Sequence, residues 1–181
     1  VSAPLGLAAD DFTLFGLPRA FALDLAELDE RWRDLQARVH PDKFAAEGGA
    51  AQRVAVQWSV RVNEAYRRLR DPISRGASLC ELAGVAIDAE RNTAMPSEFL
   101  MQQMQWREAL EEAGTVGEVY ELEAQVRAES SMIQARLAVL IDGQPDIAPD
   151  LTAAAQQVRA LMFVQRFLQD IARRADRLEQ A

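Results

Sequence analysis

A single histidine occurs in this 181-residue chain, His40, and it is followed at once by Pro41, Asp42 and the only lysine, Lys43. Imidazole beside a carboxylate could in principle do acid–base, nucleophilic or metal chemistry. Each of these fails on count. A catalytic triad needs its histidine beside a serine or cysteine nucleophile. A zinc site draws on several Cys and His ligands, and the chain has one of each. Carboxylate metal sites in helical bundles need Glu-x-x-His pairs on facing helices, and the one His precedes a proline in a loop. Cys80, the only cysteine, excludes an internal disulfide. Flanked by Leu79 and Leu82, it reads as a core residue. Metal binding and His-based hydrolysis are therefore not expected.

The elements that must position this tripeptide are all helices. Residues 12–19 form a short opening segment broken by Gly16 and Pro18. Asp24 is placed to cap the next helix, which Pro41 ends. Its Leu28, Trp32, Leu35 and Val39 fall on one helical face. Residues 40–49 read as a loop. A further helix spans about 50–70, with Val54, Trp58, Val62, Ala65 and Leu69 as its apolar stripe. Asp71-Pro72 breaks it, and a short helix over 73–83 ends at Gly84. Two amphipathic helices packed antiparallel would hold 40–49 at the open end of a hairpin. Pro41 would fix the backbone there and leave His40 and Asp42 exposed.

A hairpin of this kind, with His-Pro-Asp-Lys at its tip and a short helix after it, resembles the J-domain family. That resemblance implies a co-chaperone that binds a DnaK-type chaperone and stimulates its ATP hydrolysis. The family's invariant tripeptide falls on His40, Pro41 and Asp42, and its basic docking face on Arg31, Arg33, Arg38 and Lys43. Asp34 departs from the pattern, standing where many J-domains carry another base. Such charges chiefly set on-rate and orientation.

After a connector at 84–96, Ser97 opens a helix to about 113. Gly114 and Gly117 interrupt, a long helix follows to about 141, residues 142–149 turn, and a last helix covers about 150–179. Three amphipathic helices joined by short turns pack as a bundle. At about 100° per residue, Phe99, Trp106 and Leu110 form the core stripe of the first of these helices. Met101, Met104, Glu108 and Glu112 share its opposite face, with Leu100 on the flank. Exposed methionine beside acid either makes an adaptable binding surface for a partner or simply contacts the N-terminal domain. On the last helix, taking Leu161 as the stripe with Val164 and Leu168 beside it, Phe163 lies about 200° away. Off the core face, Phe163 either anchors a partner or fills a gap against a neighbouring helix.

The stretches DDFTLFGLP, HPDKFA, RRLRDPISR and SEFLMQQMQWREALEE narrow the resemblance, over roughly residues 11–180, to the HscB family of iron–sulfur cluster assembly. The Gly/Phe-rich segment and Cys-x-x-Cys modules of general J-proteins are missing. The HscB resemblance implies HscA as the chaperone and the cluster scaffold IscU as the client; ATP and the cluster then belong to the partners, so a chain that is no enzyme and carries no cofactor is expected. It puts the scaffold contacts at Leu100, Met101, Met104, Gln105, Glu108, Glu112 and Phe163. Gln105 stands where an acid is common, and Met104 where Leu is common. A J-domain co-chaperone with a different client is the alternative.

The expected organisation is all-α, with a J-domain over 1–84, a connector over 85–95 and a three-helix scaffold-binding domain over 96–181. The net charge of −8 and pI near 4.8 disfavour nucleic acid as a partner. Residues 1–84 hold 12 acids and 11 bases, and residues 85–181 hold 16 acids and 9 bases. The apolar runs fall far short of the ~18 residues of a membrane helix, and no basic, apolar signal opens the chain. A cytoplasmic monomer that binds no membrane is expected.

Overall fold

The computed structural model describes residues 8–88 and 95–180, and every regular element among them is helical. Seven α-helices follow in order: α1 Asp11–Phe15, α2 Leu25–Val39, α3 Gly49–Arg70, α4 Pro72–Leu82, α5 Ser97–Glu112, α6 Val116–Asp142 and α7 Leu151–Glu179. They divide into two compact units, Val1–Arg75 and Gly76–Ala181. The division falls inside α4, upstream of the boundary expected at 84. The connector expected at 85–95 lies outside the described residues at 89–94.

In the first unit, α2 begins where Asp24 Oδ1 accepts hydrogen bonds from the amides of Ala26 (2.8 Å) and Glu27 (3.3 Å). It ends at Val39 because Pro41 cannot continue the ladder and pushes the residue before it, His40, to an extended ψ of 127°. α2 and α3 then join along polar and aromatic contacts. Trp32 stacks on Tyr66 with ring centres 4.7 Å apart, and its Nε1 donates to Asn63 Oδ1 at 3.0 Å. Tyr66 donates its hydroxyl to Asp29 (2.8 Å), which also accepts from Arg70 Nη1 (2.8 Å). Leu28, Val62, Ala65 and Leu69 are fully buried beneath these contacts.

α1 is tied in by charge as well as by Phe12 and Phe15. Asp11, buried, accepts from Arg68 Nε (2.6 Å) and Nη2 (2.9 Å) and pairs with Arg61 at 2.7 Å. Burial alone would raise the pKa of this carboxyl. The hydrogen bonds and charges of Arg68 and Arg61 outweigh it and hold the group below its usual range. Gly16 closes α1 in the left-handed region (φ 63°), and a Cβ there would meet Arg31 Nη1 at 2.9 Å. Glycine serves both the turn and that close approach.

The second unit is built on the long α6/α7 pair. Val119, Val126, Ile133 and Leu137 of α6 face Val158, Leu161, Val164 and Ile171 of α7, all at most 2% exposed. Thr115 and Glu118 form a reciprocal capping box at the start of α6. The α6–α7 turn closes through paired 3.0 Å bonds between Gln144 and Ile147. α5 contributes a single fully packed residue, Trp106, which stacks on Phe167 at 5.9 Å. Arg174 of α7 reaches the other end of α5 and donates to the Ala113 carbonyl at 2.7 Å.

Four local expectations are corrected. Val54 is 51% exposed, and Ala55 occupies the core line of α3 in its place. Phe167, not Leu168, is the buried residue of α7 at that level, drawn in by the Trp106 ring. Gly117 lies inside α6, because the helix is capped two residues earlier at Thr115. Residues 41–47 are not an irregular loop: Pro41–Glu47 is a 3-10 segment. Proline at its first position suits a helical start, and His40 supplies the cap.

Candidate functional site

The tip of the α2/α3 hairpin is organised by His40. Its Nδ1 accepts the Asp42 backbone N–H at 3.3 Å, and its carbonyl accepts from the Lys43 amide at 3.1 Å. An accepting Nδ1 places the ring proton on Nε2. The Asp42 carboxylate stands 3.5 Å from Nδ1, an ion pair only for a protonated ring. The Asp42 side chain is 88% exposed and that of His40 is 55% exposed. A carboxylate this open, on a turn that begins with proline, can accept hydrogen bonds from solvent or from another molecule.

The four bases assigned to this surface are not equivalent. Arg31 is half-buried and engaged within its own unit. It binds Glu27 through Nε (3.0 Å) and Nη2 (2.5 Å), and Nη1 donates to the carbonyls of Phe15 and Gly16, both at 2.9 Å. Its guanidinium pins α2 to the end of α1. Arg33, Arg38 and Lys43 are exposed. The helical period puts Arg38 nearly in line with Arg31 and Arg33 about 160° away around α2. The three arginines therefore form no single face, and Asp34 lies beside Arg38 on the same side.

On α5, Leu100, Met101 and Met104 are 44%, 59% and 70% exposed, and Gln105, Glu108 and Glu112 are exposed beside them. Trp106 at 4% exposure marks the opposite, packed side. The helix presents an apolar strip edged with carboxylates. Phe163 is half-buried. Its ring meets Phe99 edge-on at 5.9 Å and stacks on Phe167 at 6.0 Å, and the Arg107 guanidinium lies 5.8 Å from its centre. Phe163 thus packs against α5 and keeps part of its ring accessible. The structure brings it to the flank of α5 that carries Leu100.

Two further residues shape this surface and carried no signal in the sequence. Arg107 covers Phe163 through a cation–π contact, and Arg174 ties down the end of α5 from sixty residues along the chain. Both depend on long-range proximity, which periodicity does not reveal. Cys80 is buried, and burial first, then the Glu81 charge, push its thiol pKa up against a smaller opposing effect of Arg159. It is an inert thiol at neutral pH. Among the described residues no cluster of His, Cys, Asp or Glu could hold a metal ion, and no helix is long and apolar enough to cross a membrane.

Comparison with known proteins gives these surfaces a context. A family model described as the HSCB C-terminal oligomerisation domain matches residues 95–172. The co-chaperone protein HscB homolog of Bordetella petrii is 49% identical over 168 residues, covering 92% of this chain and 96% of that protein. That of Burkholderia vietnamiensis is 47% identical over 178 residues, covering 97% and 99%. Among solved structures, HscB from Vibrio cholerae superposes with a TM-score of 0.76 at 32% identity over 94% of this chain and 99% of that one. Human co-chaperone protein HscB superposes with a TM-score of 0.83 at 27% identity over 95% and 84%. With nearly the whole length shared at close to half identity, the hairpin and bundle are the J-domain and C-terminal helical domain of that fold, and the chain belongs to the HscB family of co-chaperones.

Proposed function

We propose that this protein stimulates ATP hydrolysis by a specialised DnaK-type chaperone, HscA, and delivers the iron–sulfur scaffold IscU to it. The observation that carries the reading is the His-Pro-Asp tip, whose Asp42 carboxylate is held almost fully open to solvent. Asp42, positioned by His40 and Pro41, takes hydrogen bonds from the chaperone, and Arg33, Arg38 and Lys43 steer the encounter. The outer face of α5, from Leu100 to Glu112, together with Phe163, holds the scaffold. ATP and the cluster stay with the partners, so this chain needs no cofactor and catalyses no reaction itself.

The two roles fall to a J-domain over 1–84 and a scaffold-binding domain over 96–181 joined by the intervening connector. Tethering the scaffold to a chaperone-binding module raises its effective concentration at the chaperone. The protein works as a cytoplasmic monomer, because self-association through α5 would cover the scaffold face.

Steady-state ATP hydrolysis by the chaperone tests this directly. The scaffold alone, this protein alone and both together are added, with wild type and with Asp42→Asn. Synergy of the two additions, absent in the variant, is expected. Full stimulation by Asp42→Asn would refute the role of the tip. Stimulation without any added effect of the scaffold would transfer the α5 face to another client.

A further inference from the structure

We propose that Met101 and Met104 form a peroxide-sensitive modification site whose oxidation releases the scaffold while leaving chaperone stimulation intact. The inference rests on the scaffold-binding role of α5 given above. Of the five methionines, Met95 and Met162 are half-buried, whereas Met101, Met104 and Met132 are 59%, 70% and 50% exposed. Met101 and Met104 are neighbours on one helical face, at the i, i+3 spacing. They are the most exposed large apolar side chains of the chain's described residues and lie at the centre of the strip edged by Gln105, Glu108 and Glu112. The other sulfur, Cys80, is fully buried with its pKa raised. Oxidant in solution therefore meets thioethers on this protein and not a thiolate.

The step is balanced with hydrogen peroxide as the oxidant. The thioether sulfur attacks one peroxide oxygen, an S–O bond forms as the O–O bond breaks, and water leaves. Sulfur is oxidised by two electrons and peroxide is reduced. The sulfoxide turns an adaptable apolar side chain into a polar one. Pressed into an apolar contact without a hydrogen-bond partner, such a group costs enough to weaken binding by about tenfold or more. Because both side chains face away from the packed side of α5, the bundle tolerates the change. Methionine sulfoxide reductases reverse it. Iron–sulfur clusters are themselves destroyed by peroxide, so a site that halts delivery under the same oxidant acts in the same direction.

The protein is treated alone with hydrogen peroxide, catalase removes the oxidant, and peptide mass spectrometry locates the added oxygens. Affinity for the scaffold is then measured by titration, and helicity by circular dichroism, before and after treatment. Affinity is expected to fall at least about tenfold once Met101 and Met104 carry sulfoxides, and to return with the reductases. Met132→Leu should lose affinity on treatment as wild type does. In the double variant Met101→Leu/Met104→Leu, treated and untreated affinities should be equal, whatever their absolute value. Stimulation of the chaperone without scaffold should be unchanged by oxidation. Undiminished affinity with both sulfoxides in place would overturn the inference, as would an equal loss in the double variant or a loss of helicity accompanying the loss of binding. Failure of the untreated protein to bind the scaffold would instead overturn the α5 role itself, and the inference with it.

Discussion

Replacing Trp106 by alanine is expected to weaken scaffold binding although no residue of the proposed contact face is touched. α6 and α7 bury many side chains against each other, but α5 has Trp106 as its one fully packed residue. That indole stacks on Phe167 with ring centres 5.9 Å and planes 15° apart, and meets Phe99 edge-on at 6.3 Å. Trp→Ala in a packed core costs about 3–5 kcal/mol. Even the lower figure shifts the ratio of docked to undocked α5 by roughly two orders of magnitude. The remaining tethers are the Arg174–Ala113 bond at 2.7 Å and the half-buried rings of Phe99 and Phe163. They are worth about 1–3 kcal/mol for the charged hydrogen bond and about 0.5–1.5 kcal/mol for each aromatic pair, the same order as the loss, so α5 is left only marginally docked. The α6/α7 core is left intact, so the rest of the unit should stay folded. Hydrogen exchange read by mass spectrometry checks this: amides of 97–112 should lose protection while those of 119–141 and 154–175 keep it. Scaffold affinity should fall in proportion to the docked fraction, and Trp106→Phe should recover much of both. Unchanged protection across α5 in Trp106→Ala would refute the claim that one residue anchors the helix. Lost protection with normal affinity would show that the scaffold does not need α5 docked.

Arg31→Ala and Arg38→Ala should separate two kinds of arginine in α2. The first removes the bonds to Phe15, Gly16 and Glu27 and should lower the stability of the first unit by about 1–3 kcal/mol. The second should leave stability within about 0.5 kcal/mol and slow association with the chaperone, most visibly at low salt. Denaturant melts and association kinetics distinguish them, and a stability-neutral Arg31→Ala would refute its structural role. Asp11→Asn leaves Arg61 and Arg68 facing an uncharged amide. Arg68 is 43% exposed, so water screens part of the loss, and about 2–3 kcal/mol is expected, below the cost of breaking a fully buried pair. The wild-type carboxyl is held below its ordinary 3.8. Its contribution is therefore complete above that value in the unfolded chain and is lost as pH falls through the lower folded value. Acid melts of wild type should steepen below about pH 4, and those of Asp11→Asn should be flatter there; parallel curves would count against the ion-pair argument.

The fold was legible where one period governs a long segment. The α5 face illustrates this: two methionines and two glutamates opposite Phe99, Trp106 and Leu110 could be placed by angle, and their exposure follows. Misplacements arose where phase did not decide. Val54 and Ala55 straddle the α3 core line of Val62, Ala65 and Leu69, each about 50° from it on opposite sides, so an apolar pattern prefers the larger, wrong neighbour. At the next level phase itself misleads: Leu168 is in line with the α7 stripe and Phe167 is not, but the Trp106 ring on another helix draws Phe167 in. The charged anchors were not legible. Asp11 is fifty or more residues from Arg61 and Arg68, Arg159 lies 72 residues from the Ile87 carbonyl it binds at 2.9 Å, and no local pattern marks either pairing. The same blindness hides what holds Arg31. Its spacing matches Arg38, and only the position of the α1 end shows that its guanidinium is already occupied.

Division of labour between the two surfaces follows from how each is held. The His-Pro-Asp tip is the stiff end of a hairpin fastened by the Trp32–Tyr66 stack and by hydrogen bonds through Asp29, Gln36 and Asn63. A stiff acceptor suits the proposed chaperone contact, since little conformational freedom is lost on binding. The α5 face uses unbranched methionine on a helix whose one fully packed residue is Trp106, and such a surface adapts to its partner's contours. Adaptability has a cost: it leaves thioethers in water and makes the face depend chiefly on Trp106. A variant that stiffens α5, by filling the half-packed flank around Phe99 and Phe163, should therefore slow release of the scaffold more than it speeds capture, because affinity within one interface is tuned chiefly through dissociation.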